Sequence, residues 1–165
     1  MARVNEDIQT INHLIDEIKE TVNGLSEETI RWNPTVEEWS IMQILTHLEE
    51  ALPYWCDEIE QLLEEPGKEW GRGLQHEGRL AAVAPDYVDS KLIEDVFNGL
   101  DKVKVRIETT LLKLNEETLA QEAPSRNPRF GTKPISFIVD HLLIEHTRKH
   151  LGQVNRNLSK VNESN

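Results

Sequence analysis

The sequence predicts an all-α protein: a four-helix bundle with a long connection between the second and third helices. Three observations carry this. Ile8, Ile11, Ile15, Ile18 and Val22 are spaced 3, 4, 3 and 4 apart, which lines them up as one seam of a helix. Two later stretches, 41–62 and 92–114, repeat the same apolar period. Strand signals are few, and the Asn-Gly pairs at 23–24 and 98–99 fall at or inside helical patterns instead of between alternating runs. With 165 residues the chain is expected to form one domain, 1–165, without internal repeats.

The first helix is expected from about Asn5 to Asn23, with Gly24 in the position a C-terminal cap prefers. Ser26 to Ile30 adds a short turn before Trp32, Asn33 and Pro34 break the pattern. Ser40 followed by Gln43 is a capping-box pattern that starts helix two, whose face runs from Ile41 through Ile44, Leu48, Leu52, Trp55 and Ile59 to Leu62. Pro53 inside it should kink the helix near His47. Residues 65–85 hold Pro66, four glycines, Trp70 and His76 with no sustained period, and read as a long connection or lid. Helix three is expected from about Asp89 to Leu114, with Leu92 on its core face and Gly99 as a weak point. Residues 123–133, with Pro124, Pro128 and Gly131, read as a second irregular link. Pro134 suits the first turn of the last helix, which extends to about Leu158, and the polar tail 159–165 is expected to fray.

Composition narrows the function. A net charge of −12 leaves no basic stripe for a nucleic-acid backbone or an anionic membrane. No apolar run approaches the roughly 18 residues that cross a bilayer. Residues Met1 to Asp7 lack the character of a signal peptide, so a cytoplasmic protein is expected. Cys56 is the only cysteine, which rules out an internal disulfide and a thiolate cluster. A metal site must therefore be built from His, Asp and Glu.

The last helix offers such a site. Taking about 100° per residue from Ile138, His146 and His150 fall near 80° and 120°, among Val139, Leu142, Leu143 and Val154 at about 40° to 160°. Two imidazoles one turn apart on an apolar face either ligate one ion or pack as core histidines whose polar nitrogens each need a partner. Bundles take further ligands from facing helices, and His47, on the flank of helix two beside Ala51 and Tyr54, is the candidate third. Three neutral imidazoles leave coordination positions open for water or substrate.

Around these, Gln153 lies one turn beyond His150 and either orients a ligand or bonds another helix. Tyr54 and Glu58 share the flank of His47 as candidate supporting partners or proton carriers, with Glu58 expected in solvent. Cys56 faces away from His47, His141 points away from its histidine neighbours toward the surface, and Trp39 is expected to pack at the helix start. His13 and His76 have no spacing that supports a role.

The segment Trp39-Ser40-Ile41-x-Gln43-Ile44-Leu45-x-His47-Leu48, preceded by Asn33-Pro34, and the segment His146-x3-His150-x2-Gln153 together resemble the DinB-like (DinB/YfiT) superfamily of four-helix metalloproteins. The resemblance implies one divalent metal ion held by three histidines, matching His47, His146 and His150. It also implies a thiol-dependent S-transferase of the bacillithiol type acting on small electrophiles, or a related hydrolase or isomerase. Zinc suits three imidazoles and a thiolate, and nickel, iron or manganese are alternatives. The expected partners are a small-molecule substrate and a low-molecular-weight thiol, with the electrophile held under the 65–85 connection. The alternative from another class is a non-catalytic bundle, stapled by metal or serving a protein partner. The first-helix seam would also suit a homodimer.

Overall fold

The computed structural model describes residues 2–164. Its long helices are α1 (Ala2–Val22), α3 (Ile41–Glu64), α6 (Ile93–Leu111) and a final rod. That rod begins as α8 (Ile135–Phe137), passes through a π-helical segment (Ile138–Glu145) and ends as α9 (His146–Ser164). The short helices α2 (Glu27–Arg31), α4 (Glu77–Ala81), α5 (Pro85–Asp89) and α7 (Glu116–Ala120) lie in the connections, with strands β1 (Glu122–Pro124) and β2 (Thr132–Pro134). The architecture is the expected four-helix bundle.

Its ring order follows from which helices touch. Both α1 and α3 pack against α6 and against the final rod, so α1 and α3 sit on a diagonal. The seam Ile8, Ile11, Ile15, Ile18 and Val22 is buried in this core, each residue contributing about 1.5–3 kcal/mol. The seam proposed for a homodimer is thus consumed by the bundle, and a second copy would need another face. Gly24, at φ 83°, turns the chain out of α1 in the left-handed conformation a residue with a Cβ resists.

The capping box at the start of α3 is present in both directions. Gln43 N–H donates to Ser40 Oγ at 3.1 Å, and Ser40 N–H donates to Gln43 Oε1 at 2.9 Å. Gln43 Nε2 also donates to the Val83 carbonyl at 2.9 Å, which ties the helix start to the long connection. From there α3 stays helical through Pro53.

Where α3 meets α6, Gly99 lies beside Glu49. A Cβ built there would lie 1.9 Å from Glu49 Oε2, so a larger residue would make that half-buried, flexible side chain shift. Burial raises the Glu49 pKa above its usual value.

Several boundaries differ from expectation. Helix three starts at Ile93, because Pro85 opens a separate helix, α5, and Leu92 in extended conformation precedes α6. Leu92 is accordingly 63% exposed instead of facing the core. The second irregular link contains a hairpin: Ala123 sits opposite Lys133 in an antiparallel pair. The 65–85 connection is stitched to it, since Trp70 N–H donates to Pro124 O at 3.1 Å and Arg126 N–H to Trp70 O at 2.7 Å. The last helix runs past Leu158 to Ser164, with Val161 buried, and Asn165 of the expected tail lies outside the described residues. Among the described residues, no helix is long and apolar enough to cross a membrane.

Candidate metal centre

His47, His146 and His150 come together where α3 meets the final rod, and each offers one nitrogen within 4.8 Å of the others. His146 Nε2 lies 3.0 Å from His47 Nε2 and 3.0 Å from His150 Nε2. Which of these nitrogens carries a proton is set from behind. His150 Nδ1 is 2.8 Å from Gln153 Oε1, and His146 Nδ1 is 3.2 Å from the Leu142 carbonyl. Neither oxygen has a proton to give, so both Nδ1 atoms are donors and both Nε2 atoms present lone pairs.

Two lone pairs 3.0 Å apart repel unless a cation lies between them. His47 cannot relieve this. If its Nε2 donates to His146, the contact between His146 and His150 still lacks a proton, and His47 Nδ1 is left as a buried atom with no partner among the described residues. A proton is a poor cation here. Burial, followed by the neighbouring imidazoles, pushes the His47 pKa down to about 2. Burial likewise pushes His146 down to about 3 and lowers His150. The donor set fits one divalent ion held by three Nε2 atoms with positions to spare.

The π-helical segment contributes directly. Its wide turns send the His146 N–H to the His141 and Leu143 carbonyls. The Leu142 carbonyl between them accepts the His146 side chain instead. A π segment beside a functional side chain is a recurring arrangement, but nothing in the apolar spacing of 138–145 distinguishes it from an α-helix.

Gln153 thus orients a histidine. Trp39 does more than pack at the helix start: its ring centroid is 4.9 Å from that of His47 and 6.1 Å from that of His150, nearly parallel to the latter. Asn157 Nδ2 holds it through its carbonyl at 2.8 Å.

Tyr54 and Glu58 form a cluster of their own, and the expectation of a solvated Glu58 is corrected. Glu58 is 4% exposed. Its Oε1 accepts from Tyr54 OH at 2.9 Å, Gly71 N–H at 2.7 Å and Arg126 Nη1 at 2.9 Å. The last two donors come from irregular segments, which helical spacing on α3 cannot reveal. Burial, then the adjacent carboxylate, raises the Tyr54 pKa above its usual value. Cys56 is buried too, and desolvation pushes its thiol up to about 11.

A pocket of about 500 Å³ opens over His47 and His146. Ala51, Trp55, Phe130, Phe137 and Leu142 form its apolar wall. Arg72, Gly73, Leu74 and Arg79 of the long connection close one side, and Asn127 and Arg129 another. The exposed His141 also reaches it, its ring centroid 4.5 Å from that of Phe137.

Residues 10–154 match the DinB superfamily. The chain belongs to that family. Among solved structures, this DinB-superfamily chain is similar to YfiT from Bacillus subtilis, described as a probable metal-dependent hydrolase with an unusual four-helix bundle topology. The TM-score is 0.82 at 11% identity, over 98% of this chain and 89% of that one. It is also similar to a mycothiol-dependent maleylpyruvate isomerase, with a TM-score of 0.69 at 12% identity, over 92% of this chain and 60% of that one. At these identities the likeness is one of fold. None of the curated proteins matches the chain.

Proposed function

We propose that this DinB-superfamily protein is a metal-dependent enzyme in which His47, His146 and His150 hold one divalent ion, and that it transfers a low-molecular-weight thiol to small electrophiles. The observation that carries the reading is the convergence of Nε2 atoms 3.0 Å apart, with the Nδ1 atoms of His146 and His150 occupied by oxygen acceptors. A divalent ion held there would supply Lewis acidity able to lower the pKa of a bound thiol or water. The Leu142 carbonyl and Gln153 keep two lone pairs aimed at one point, while Trp39 packs against the rings of His47 and His150.

The protein's own thiol is a poor nucleophile, since Cys56 is buried with its pKa raised, so the reacting sulfur belongs to a bound molecule. The pocket has the size of a small-molecule site. Zinc suits the donors, and a cytoplasmic location suits a reduced thiol. A second reading, hydrolysis, is favoured by the description of YfiT, and the same ion would serve water in place of thiol.

The test begins with elemental analysis of the wild type beside His146→Ala. About one equivalent of a divalent metal in the first and none in the second is the expected result. Consumption of an electrophile with and without added thiol then separates transfer from hydrolysis. No metal in the wild type after supply of zinc and nickel overturns the proposal.

A further inference from the structure

We infer that the pocket selects substrates in which an apolar body carries a carboxylate, and that Arg79 receives that carboxylate. The observation is a local reversal of charge. The chain carries a net −12, yet Arg72, Arg79, Arg129 and Lys149 line the pocket against a single carboxylate, Glu145. Glu145 is itself paired with Arg148. A cationic cleft in an acidic surface concentrates anions at its mouth.

The four cations are not equivalent. Arg72 is already answered: its Nη1 and Nη2 meet Glu50 at 2.7 and 2.5 Å, and its side chain is only 3% exposed. Arg129 and Lys149 are exposed and suit attraction more than tight binding. Arg79 is half-buried, donates from Nη1 to the Leu74 carbonyl at 3.1 Å, and makes no ion pair among the described residues. A guanidinium has five donors in a planar fork that matches a carboxylate, and only this one is bonded to the protein.

Its position gives that fork a role. The Arg79 guanidinium lies 5.4 Å from the Trp39 ring centroid, and the centroids of Trp39 and His47 are 4.9 Å apart. The anion site is therefore one indole ring away from the histidines. Phe130, Phe137 and Leu142 supply an apolar wall for the rest of the molecule. That the bound molecule reacts rests on the function proposed above. That it binds through a carboxylate does not.

The test is a titration of cinnamate and of its neutral isostere cinnamamide, at low ionic strength, into the protein as purified and after chelation. Calorimetry gives the affinities. Cinnamate is expected to bind at least tenfold more tightly in both preparations. Arg79→Gln should bring it to the level of the amide, and Arg79→Lys should keep part of the preference. Equal affinity for the two probes in the wild type overturns the proposal, and this comparison needs no variant to fold. A preference that survives in a folded Arg79→Gln protein, or one that disappears on chelation, also overturns it, the latter by making the carboxylate a metal ligand. A wild type that takes up neither zinc nor nickel when supplied, yet still prefers cinnamate, would sink the metalloenzyme reading and leave the anion site standing.

Discussion

Two buried polar clusters hang on the same helix, α3, and they differ in completeness. His47 and Glu58 stand eleven residues apart, close to three full turns, and so share a face. At Glu58 one carboxylate oxygen accepts from a phenol, a backbone N–H and a guanidinium. At His47 the imidazole meets the Nε2 of His146 at 3.0 Å, and its Nδ1 has no partner among the described residues. The first cluster is complete with protein atoms alone and serves to hold the connections. The second leaves imidazole nitrogens facing one another, an arrangement that suits a bound cation better than a finished structural network.

The difference breaks cleanly if each cluster is attacked in turn. In the wild type, chelation is expected to lower the melting temperature by roughly 10 °C, the effect of about 4 kcal/mol of ion binding on a chain of this size. His150→Ala should melt at the same temperature with and without chelator. Glu58→Ala should cost about 3 kcal/mol in urea unfolding, by leaving the Gly71 N–H and Tyr54 OH without their acceptor, while metal content stays at one equivalent. An equal loss of metal would show the two clusters to be one. Gln153→Ala should weaken metal affinity about 10- to 100-fold in competition with a chromogenic chelator, with little change in melting of the metal-free protein.

The smallest effect sharpens the contrast through pH. The folded pKa values of His47 and His146 lie far below 6.5, so the unfolded chain binds more protons. Stability of the metal-free protein is therefore fully present above about pH 6.5 and falls as pH drops toward 3, by at most about 1.4 kcal/mol per pH unit for each such imidazole. Urea titrations at pH 7, 6 and 5 should show this slope in the wild type and in Glu58→Ala, and a shallower one in His47→Ala.

How much of this was legible varies with the range of the interactions. The seam of α1 and the Ser40–Gln43 box are local patterns, and both are realised. His146 and His150 are readable as a pair because they stand one turn apart on an apolar face, whereas His47, on the flank of helix two, is joined to them by the family resemblance. Glu58 was misread since Gly71 and Arg126 arrive from segments without a period. The hairpin has strands of three residues, too short to alternate, and α4 and α5 are five residues each, barely more than one turn. The π segment leaves no compositional mark at all. The cationic lining of the pocket was hidden by the net charge, because a sum over the chain says nothing about where charges gather.

The diagonal placement of α1 and α3 has a kinetic consequence. His47 and His146 are 99 residues apart, and the helix between them in sequence, α6, lies on the far side of α3 from the final rod. The three imidazoles converge only once the last helix has docked on α3. Loop closure over that span adds only about 0.6 kcal/mol per doubling of length, so the delay has a small thermodynamic cost. What it would do is order events: uptake of a divalent ion during refolding would report the docking of the last helix on α3.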